Sequence, residues 1–424
     1  MFEDYIKSPT TSHILNTKVI LLSTGLDVDF NRLTEYFPNL PEEYRNVSHR
    51  ATVCDRANID PKSEKRLYIP DELILQEDGR QSVVKVYYEA ESPLRLSAGS
   101  NGLVIEDKDT GVLVPMKVLP IRTPIYTNKR FEDGSTYDKY VSLLGTDRVS
   151  VIPYDGCECW MELRPCSFCG GNPKRLGFDG SKPNLAQAIK EYGSDYRRWW
   201  NDSRDEMRHK TTTSMSSLLA TDYPEPHFHF MVIGGNLSDL DYEWNIIFDL
   251  LDPLRQVVEF DKIDSCVNMM PPNDLMIINR LQGEFGFTGV GFNLEVWGEK
   301  DFKEVCPGKQ ILYGWENMIK ALDYSARVFE HGKTRTNFVL GAQDVKKTVE
   351  GSKQLASMGI VPDYSVFFPR PASKWSKKSA PTPDEILEFG LEMEKIYREY
   401  EFDPVYCSLS SRSSIASEIR DLNV

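Results

Sequence analysis

Between about residue 148 and residue 400 short apolar runs alternate with amphipathic stretches, and this alternation limits the fold more than any other feature of the chain. VSVIPY (149–154) reads as a strand, and KPNLAQAIKEYGSDYRRWW (182–200) as the start of a long helical stretch. HFHFMVIGGN (227–236) is a second strand, after which Ser238 and Asp241 form a cap signal. Leu240, Trp244, Ile247, Phe248 and Leu251 then share one helical face. SCVNMM (265–270) reads as a strand and PPNDLMIINRLQG as a helix ending at Gly283. GVGFNLEVW (289–297) is the next strand; its helix carries Trp315, Ile319, Leu322, Ala326 and Phe329 and stops at Gly332. TNFVLG (336–341) precedes a helix through Val345 and Val349 that stops at Gly359. VPDYSVFF (361–368) precedes a helix opened by a Thr382, Pro383, Glu385 capping box and running through Ile386, Met393 and Tyr397. About six strand–helix units in succession predict an α/β fold with a parallel sheet and helices outside it. An open doubly wound sheet and a partial β/α barrel both fit, and both place chemistry at the carboxyl ends of the strands.

The residues before this region have a different texture. TKVILLSTG (17–25), SVVKVYYEA (82–90) and NGLVIEDKDTGVLVPMKVLP (101–120) alternate or run apolar between Gly-containing turns. They predict a β-rich N-terminal region, residues 1–147, that packs on the main domain or covers its mouth. Residues 148–400 form the main domain, and residues 401–424 are a tail packing on it.

The net charge of −14 disfavours nucleic acid and anionic lipid as partners. The N-terminus has no basic start followed by an apolar core, and no apolar run approaches the roughly 18–20 residues that span a bilayer. A cytoplasmic location is therefore expected, where thiols stay reduced. That expectation sharpens the meaning of GCECWMELRPCSFCGG (156–171), which holds four of the eight cysteines. Reduced, clustered thiols point to metal or redox chemistry rather than to a disulfide. Cys54, Cys266, Cys306 and Cys407 are dispersed and read as small buried hydrophobes.

Cys166 and Cys169 form a C-x2-C pair, with Cys157 and Cys159 upstream. Four thiolates would close a zinc tetrahedron, although C-x-C suits zinc poorly. Three would hold three irons of a [4Fe–4S] cluster and leave the fourth open. In this second form the segment resembles the radical S-adenosylmethionine superfamily. That family places three cysteines after the first strand of a partial β/α barrel, often with an aromatic residue before the last; Phe168 stands there. The first spacing is longer here (C-x8-C or C-x6-C), so the resemblance is to an atypical member. Gly156 before Cys157 favours Cys157, Cys166 and Cys169 as ligands, with Cys159 the alternative first ligand.

The resemblance extends to later strands. Gly234, Gly235 and Asn236 stand where the family has a Gly-Gly-Glu turn that holds the ammonium of S-adenosylmethionine. Asparagine there gives a neutral hydrogen bond, weaker than a charge-assisted one. Asn293 and Glu295, in FNLEVW, match a strand that reaches the ribose hydroxyls, and NFVLG (337–341) matches one lying along the adenine. The fold implied is a partial (β/α)6 TIM-like barrel with a β-rich N-terminal extension. The activity implied is reductive cleavage of S-adenosylmethionine, giving methionine and a 5′-deoxyadenosyl radical that attacks a small-molecule substrate. An electron donor such as flavodoxin or ferredoxin is implied as well. Loss of an aminocarboxypropyl fragment, by cleavage of another carbon–sulfur bond, stays open. With no second cysteine cluster, a single-cluster enzyme is expected.

Other residues have plainer readings. His227 and His229 face one side of a strand and read as satisfied core histidines. Arg335 and Arg370 suit either a carboxylate or the surface. Trp199 and Trp200 read as a packed helix face, Tyr154 and Trp160 as shields of the cysteine loop. A buried Glu295 needs a ligand or an ion partner.

Overall fold

The computed structural model describes residues 13–29, 31–32, 72–77, 80–100, 102–120, 130–134, 142–144, 148–162, 164–170, 176–177, 184, 186–187, 189, 229–256, 258–370, 372–403 and 411–421. Its larger sheet contains strands β1 (Arg148–Val151), β2 (His229–Ile233), β3 (Ser265–Asn268), β4 (Gly289–Gly291), β5 (Thr334–Leu340) and β6 (Ile360–Val366). Each pairs in parallel with the next, and Ser142–Leu144 adds an antiparallel edge beside β1. Spatial order follows chain order throughout. A doubly wound sheet would reverse direction at a switch point. The uninterrupted order makes this a singly wound, partial β/α barrel, and β6 and Ser142–Leu144 are its open edges.

Helices α1 (Leu240–Leu254), α2 (Met276–Gly283), α3 (Trp315–Val328), α4 (Val345–Ser357) and α5 (Pro383–Glu399) follow β2 to β6 in turn. Apolar residues of these helices share one buried core with strand residues, among them Phe230, Val267, Val290 and Phe338. The α5 capping box forms as its sequence requires: the Glu385 amide donates to the Thr382 hydroxyl and the Thr382 amide to the Glu385 carboxylate. The cap of α1 differs from expectation. Asp239, not Ser238, accepts from the Tyr242 amide at 3.0 Å, while Asp241 accepts from the Asn273 amide. Strand β4 is also shorter than its apolar run, ending at Gly291.

The N-terminal region contributes a six-stranded sheet in the order Asp27–Val28, Leu94–Gly99, Gly102–Asp107, Lys117–Pro120, Glu72–Glu77, Arg80–Lys85. TKVILLSTG is not a strand here. It lies in a helix, His13–Thr24, buried all round from Ile14 to Leu22. One side meets the six-stranded sheet, and others meet α5 and the C-terminal helix Ala416–Asp421. A helix wrapped on all sides carries no amphipathic period, so its apolar run resembles a buried strand. Lys18 in this helix is buried, and its ammonium donates to Glu418 and to the Ser411 carbonyl, each at 2.8 Å. Tyr87 stacks on Phe368 with ring centroids 5.1 Å apart, and the Ser23 hydroxyl donates to the Pro381 carbonyl. Phe368 and Pro381 follow β6, so the N-terminal region lies against the end of the barrel where the cysteine loop sits.

Candidate active site at the carboxyl ends of the barrel strands

The chain turns sharply after β1. Gly156 takes φ +97°, and Cys157, in extended backbone, caps a single helical turn, Glu158–Met161. Cys159 in that turn is buried, whereas Cys157, Cys166 and Cys169 are each partly open. Backbone bonds fold the loop on itself: Arg164 donates to the Cys159 carbonyl and Cys169 to the Cys166 carbonyl.

Three hydrogen bonds sort the thiols. The Cys157 and Cys159 thiols are hydrogen-bonded to each other, and so are those of Cys166 and Cys306. The Trp160 indole Nε1, which can only donate, lies 3.5 Å from the Cys169 sulfur. The bond with Cys159, aided by backbone N–H groups, lowers the Cys157 pKa to about 6 despite burial. Cys159 moves the other way, through its bond with Cys157 and its burial. Burial and its bond to Cys166 likewise raise Cys306. Among the described residues no three His, Cys, Asp or Glu converge on one point as a single metal ion requires. A cluster asks for something else, one sulfur at each of three separate irons.

The Gly234-Gly235-Asn236 turn ending β2 presses on this loop. A Cβ on Gly235 would stand 2.1 Å from the Gly156 carbonyl oxygen and 2.6 Å from Cys157 Cβ. Only glycine allows that approach. The Tyr154 hydroxyl donates to the Gly235 carbonyl at 2.6 Å and the Glu158 amide to the Asn236 carbonyl at 2.8 Å. Tyr154 therefore ties turn and loop together rather than only shielding the loop. Behind the turn, Glu243 of α1 is fully buried and accepts from the Leu237 amide. Burial lifts its carboxyl pKa to about 8, so it is largely protonated at neutral pH.

Beyond β4 the chain leaves regular structure. Glu295 takes φ +68° and is bridged to β5 through Asn337 and Val339. Its carboxylate is paired with Lys309, 2.8 Å away, and the same ammonium donates to the Asn293 carbonyl at 2.9 Å. Glu295 thus has the ion partner its burial called for. Lys309 lies in the short helix Pro307–Leu312, whose Gly308 backs onto the cysteine loop: a Cβ there would stand 2.5 Å from Cys159 Sγ. Phe168 packs at 6.4 Å from Trp375, whose amide donates to the Ser167 carbonyl. The structure therefore brings the Gly234–Asn236 turn against the cysteine loop and links Asn293 and Glu295 to it through Lys309.

Several sequence readings fall elsewhere. Arg335 opens β5 at the opposite end of the barrel, in a two-pronged pair with Asp363. Arg370 lies over the Phe368 ring at 4.8 Å, near the site but held by an aromatic face. His229 is buried, 3.8 Å from Asp264 at the start of the strands. His227, Trp199, Trp200, Cys54 and Cys407 lie outside the described residues. Sequence reasoning missed Cys306, Lys309 and Glu243. Nothing in their spacing marks them: Cys306 and Lys309 reach the site from a segment distant in sequence, and Glu243 sits within a helix whose period gives no sign that it turns inward.

Comparison with known proteins adds to this geometry. The chain is 27% identical over 179 residues to bacteriochlorophyllide c C-7(1)-hydroxylase of Chlorobaculum limnaeum, a match taking in 40% of this chain and 44% of that protein. The chain thus spans less than half the length of the curated relative it matches. Among solved structures it is similar to a radical SAM methyltransferase from Sphaerobacter thermophilus, at TM-score 0.37 and 13% identity, over 73% of this chain and 75% of the other. It is also similar to coproporphyrinogen III oxidase from Escherichia coli, a radical SAM enzyme, at TM-score 0.36 and 14% identity, over 61% and 54%. No family model matches the chain.

Proposed function

We propose that this chain is a radical S-adenosylmethionine enzyme whose Cys157, Cys166 and Cys169 hold a [4Fe–4S] cluster with one iron left for the amino and carboxylate groups of S-adenosylmethionine. The observation that carries the reading is that Cys157, Cys166 and Cys169 stand partly open on the loop after β1, with the Gly235 turn pressed on Cys157 and the Trp160 indole donating to the Cys169 sulfur, while Cys159 is buried. Donors to ligand sulfurs are a recognised means of tuning such clusters. The donor set suits iron–sulfur chemistry, and Gly235 supplies the close backbone approach that a cofactor lying on the loop requires.

When bound, the cluster supplies the electron that cleaves a carbon–sulfur bond of S-adenosylmethionine, and a donor such as flavodoxin or ferredoxin replaces it. The chain's own residues hold and orient. The Gly234–Asn236 backbone carbonyls and the Asn236 side-chain carbonyl accept from the ammonium of the cofactor, without the carboxylate counter-charge that a glutamate there would add. Asn293 and Glu295 receive the ribose hydroxyls, and Phe168 with Trp375 shields one side of the loop from water. The substrate is a small molecule held at the carboxyl ends of the strands. The position of the site and the curated relative, a hydroxylase of a bacteriochlorophyllide, support that class. No helix among the described residues is long and apolar enough to cross a membrane, and we place the reaction in the cytoplasm.

Anaerobic purification and reconstitution test the reading. A brown protein with about four irons per chain is expected. Cys157→Ala, Cys166→Ala and Cys169→Ala each lose the cluster, whereas Cys159→Ala keeps it. A colourless protein carrying one zinc, or full iron in Cys157→Ala, would overturn it.

A further inference from the structure

Lys309 is a buried cation between two parts of the site that the sequence leaves unconnected. It is 8% exposed, as is Glu295, and its ammonium donates to the Glu295 carboxylate and to the Asn293 carbonyl. The residues before it on the chain support the cysteine loop. The Val305 carbonyl accepts from the Ser167 amide, the Cys306 thiol reaches Cys166, and Gly308 lies against Cys159 and the Arg164 carbonyl. One short segment, residues 305–309, therefore touches both the thiols and Glu295.

We propose that Lys309 is a positioning residue that holds the Glu295 side chain aimed for the cofactor's ribose while setting a fixed positive charge beside the cluster ligand Cys166. This rests on the reading that Cys157, Cys166 and Cys169 hold the cluster. Glu295 sits at φ +68°, a backbone state that glutamate adopts at a cost, so the carboxylate needs a partner to define where it points. Burial alone would discharge the ammonium. The Glu295 carboxylate, 2.8 Å away, outweighs burial and keeps it protonated. Cys159 and Cys306 in turn feel Lys309 as a stabilising positive charge. A positive charge at that place favours the reduced, more negative cluster and raises its potential.

The test uses reconstituted wild type, Lys309→Met, Glu295→Gln and the double variant. Iron per chain, the cluster midpoint potential by EPR-monitored titration, and the affinity for S-adenosylhomocysteine by calorimetry are measured for each. Absence of iron from the wild type would defeat the cluster reading itself and this inference with it. With iron present in all four, Lys309→Met is expected to show a more negative potential and about tenfold weaker binding. Glu295→Gln weakens binding similarly, and the double variant binds no worse than either single one. Should Lys309→Met fold poorly because it strands a buried carboxylate, the double variant carries the test, with a potential below that of Glu295→Gln. Potentials and affinities equal to those of their parents, with only a lower melting temperature, would show Lys309 to be structural alone and overturn the proposal.

Discussion

Replacing Gly235 with alanine is the smallest change that bears on the site. The new Cβ would stand 2.1 Å from the Gly156 carbonyl oxygen, 2.6 Å from Cys157 Cβ and 2.8 Å from Cys157 Cα. Ordinary contact begins near about 3.5 Å, so turn and loop must part by roughly 1.4 Å at the tightest point. These neighbours are backbone or bonded directly to it, and no rotamer change removes them. Forced overpacking of this kind costs about 1–3 kcal/mol. Separation also stretches the bonds from Tyr154 to the Gly235 carbonyl and from the Glu158 amide to the Asn236 carbonyl. Each contributes about 0.5–1.5 kcal/mol, which brings the expected loss to roughly 2–6 kcal/mol. Urea denaturation of the apo protein measures that loss, and iron content after reconstitution measures the displacement of Cys157. Gly283→Ala is the control, since nothing lies within 4 Å of its Cβ position at the end of α2. It is expected to be neutral or to stabilise by up to about 1 kcal/mol. If Gly235→Ala matched the wild type in urea midpoint and bound full iron, turn and loop would not be in the contact described.

Cys157, with its pKa near 6, is expected to outpace Cys159 in alkylation of the reduced apo protein at pH 7, its rate falling by half near pH 6. Equal labelling in a peptide map would contradict the sorting of the thiols. Glu243 has its folded pKa raised from 4.5 to about 8, so the stability tied to its proton is complete below about 4.5 and is lost as pH rises through about 8. Glu243→Gln should flatten the wild-type decline in urea midpoint over that window; parallel profiles would refute the buried acid. Lys18→Met leaves Glu418 without its buried counter-charge and should cost roughly 3–5 kcal/mol, most of it recovered in Lys18→Met/Glu418→Leu. A double variant as unstable as the single one would show that packing, not charge, decides that junction.

The barrel was legible because its strands and helices have distinct periods and firm stops. Thr382 with Glu385 fixed the start of α5, and apolar spacing found α3. Local rules failed where tertiary contact decides. His13–Thr24 is wrapped on all sides, which erases the amphipathic signal by which a helix is recognised. The apolar run after Gly291 belongs to an irregular segment because Glu295 turns to meet Lys309, a pairing across 14 residues that no periodic pattern encodes. The cysteine cluster was visible as spacing, but the partners of its thiols depend on Cys306 and on the packing of Trp160. Spacing alone does not choose between Cys157 and Cys159; Gly156 favours Cys157 in the sequence, and in the fold Cys159 is the buried one of the two.

The most direct test is Mössbauer spectroscopy of the 57Fe-reconstituted protein with and without S-adenosylmethionine. The account predicts that a single iron changes its coordination on addition of the cofactor while the thiolate-held irons keep theirs. Spectra that do not respond, or a protein that takes up no cluster at all, would contradict it.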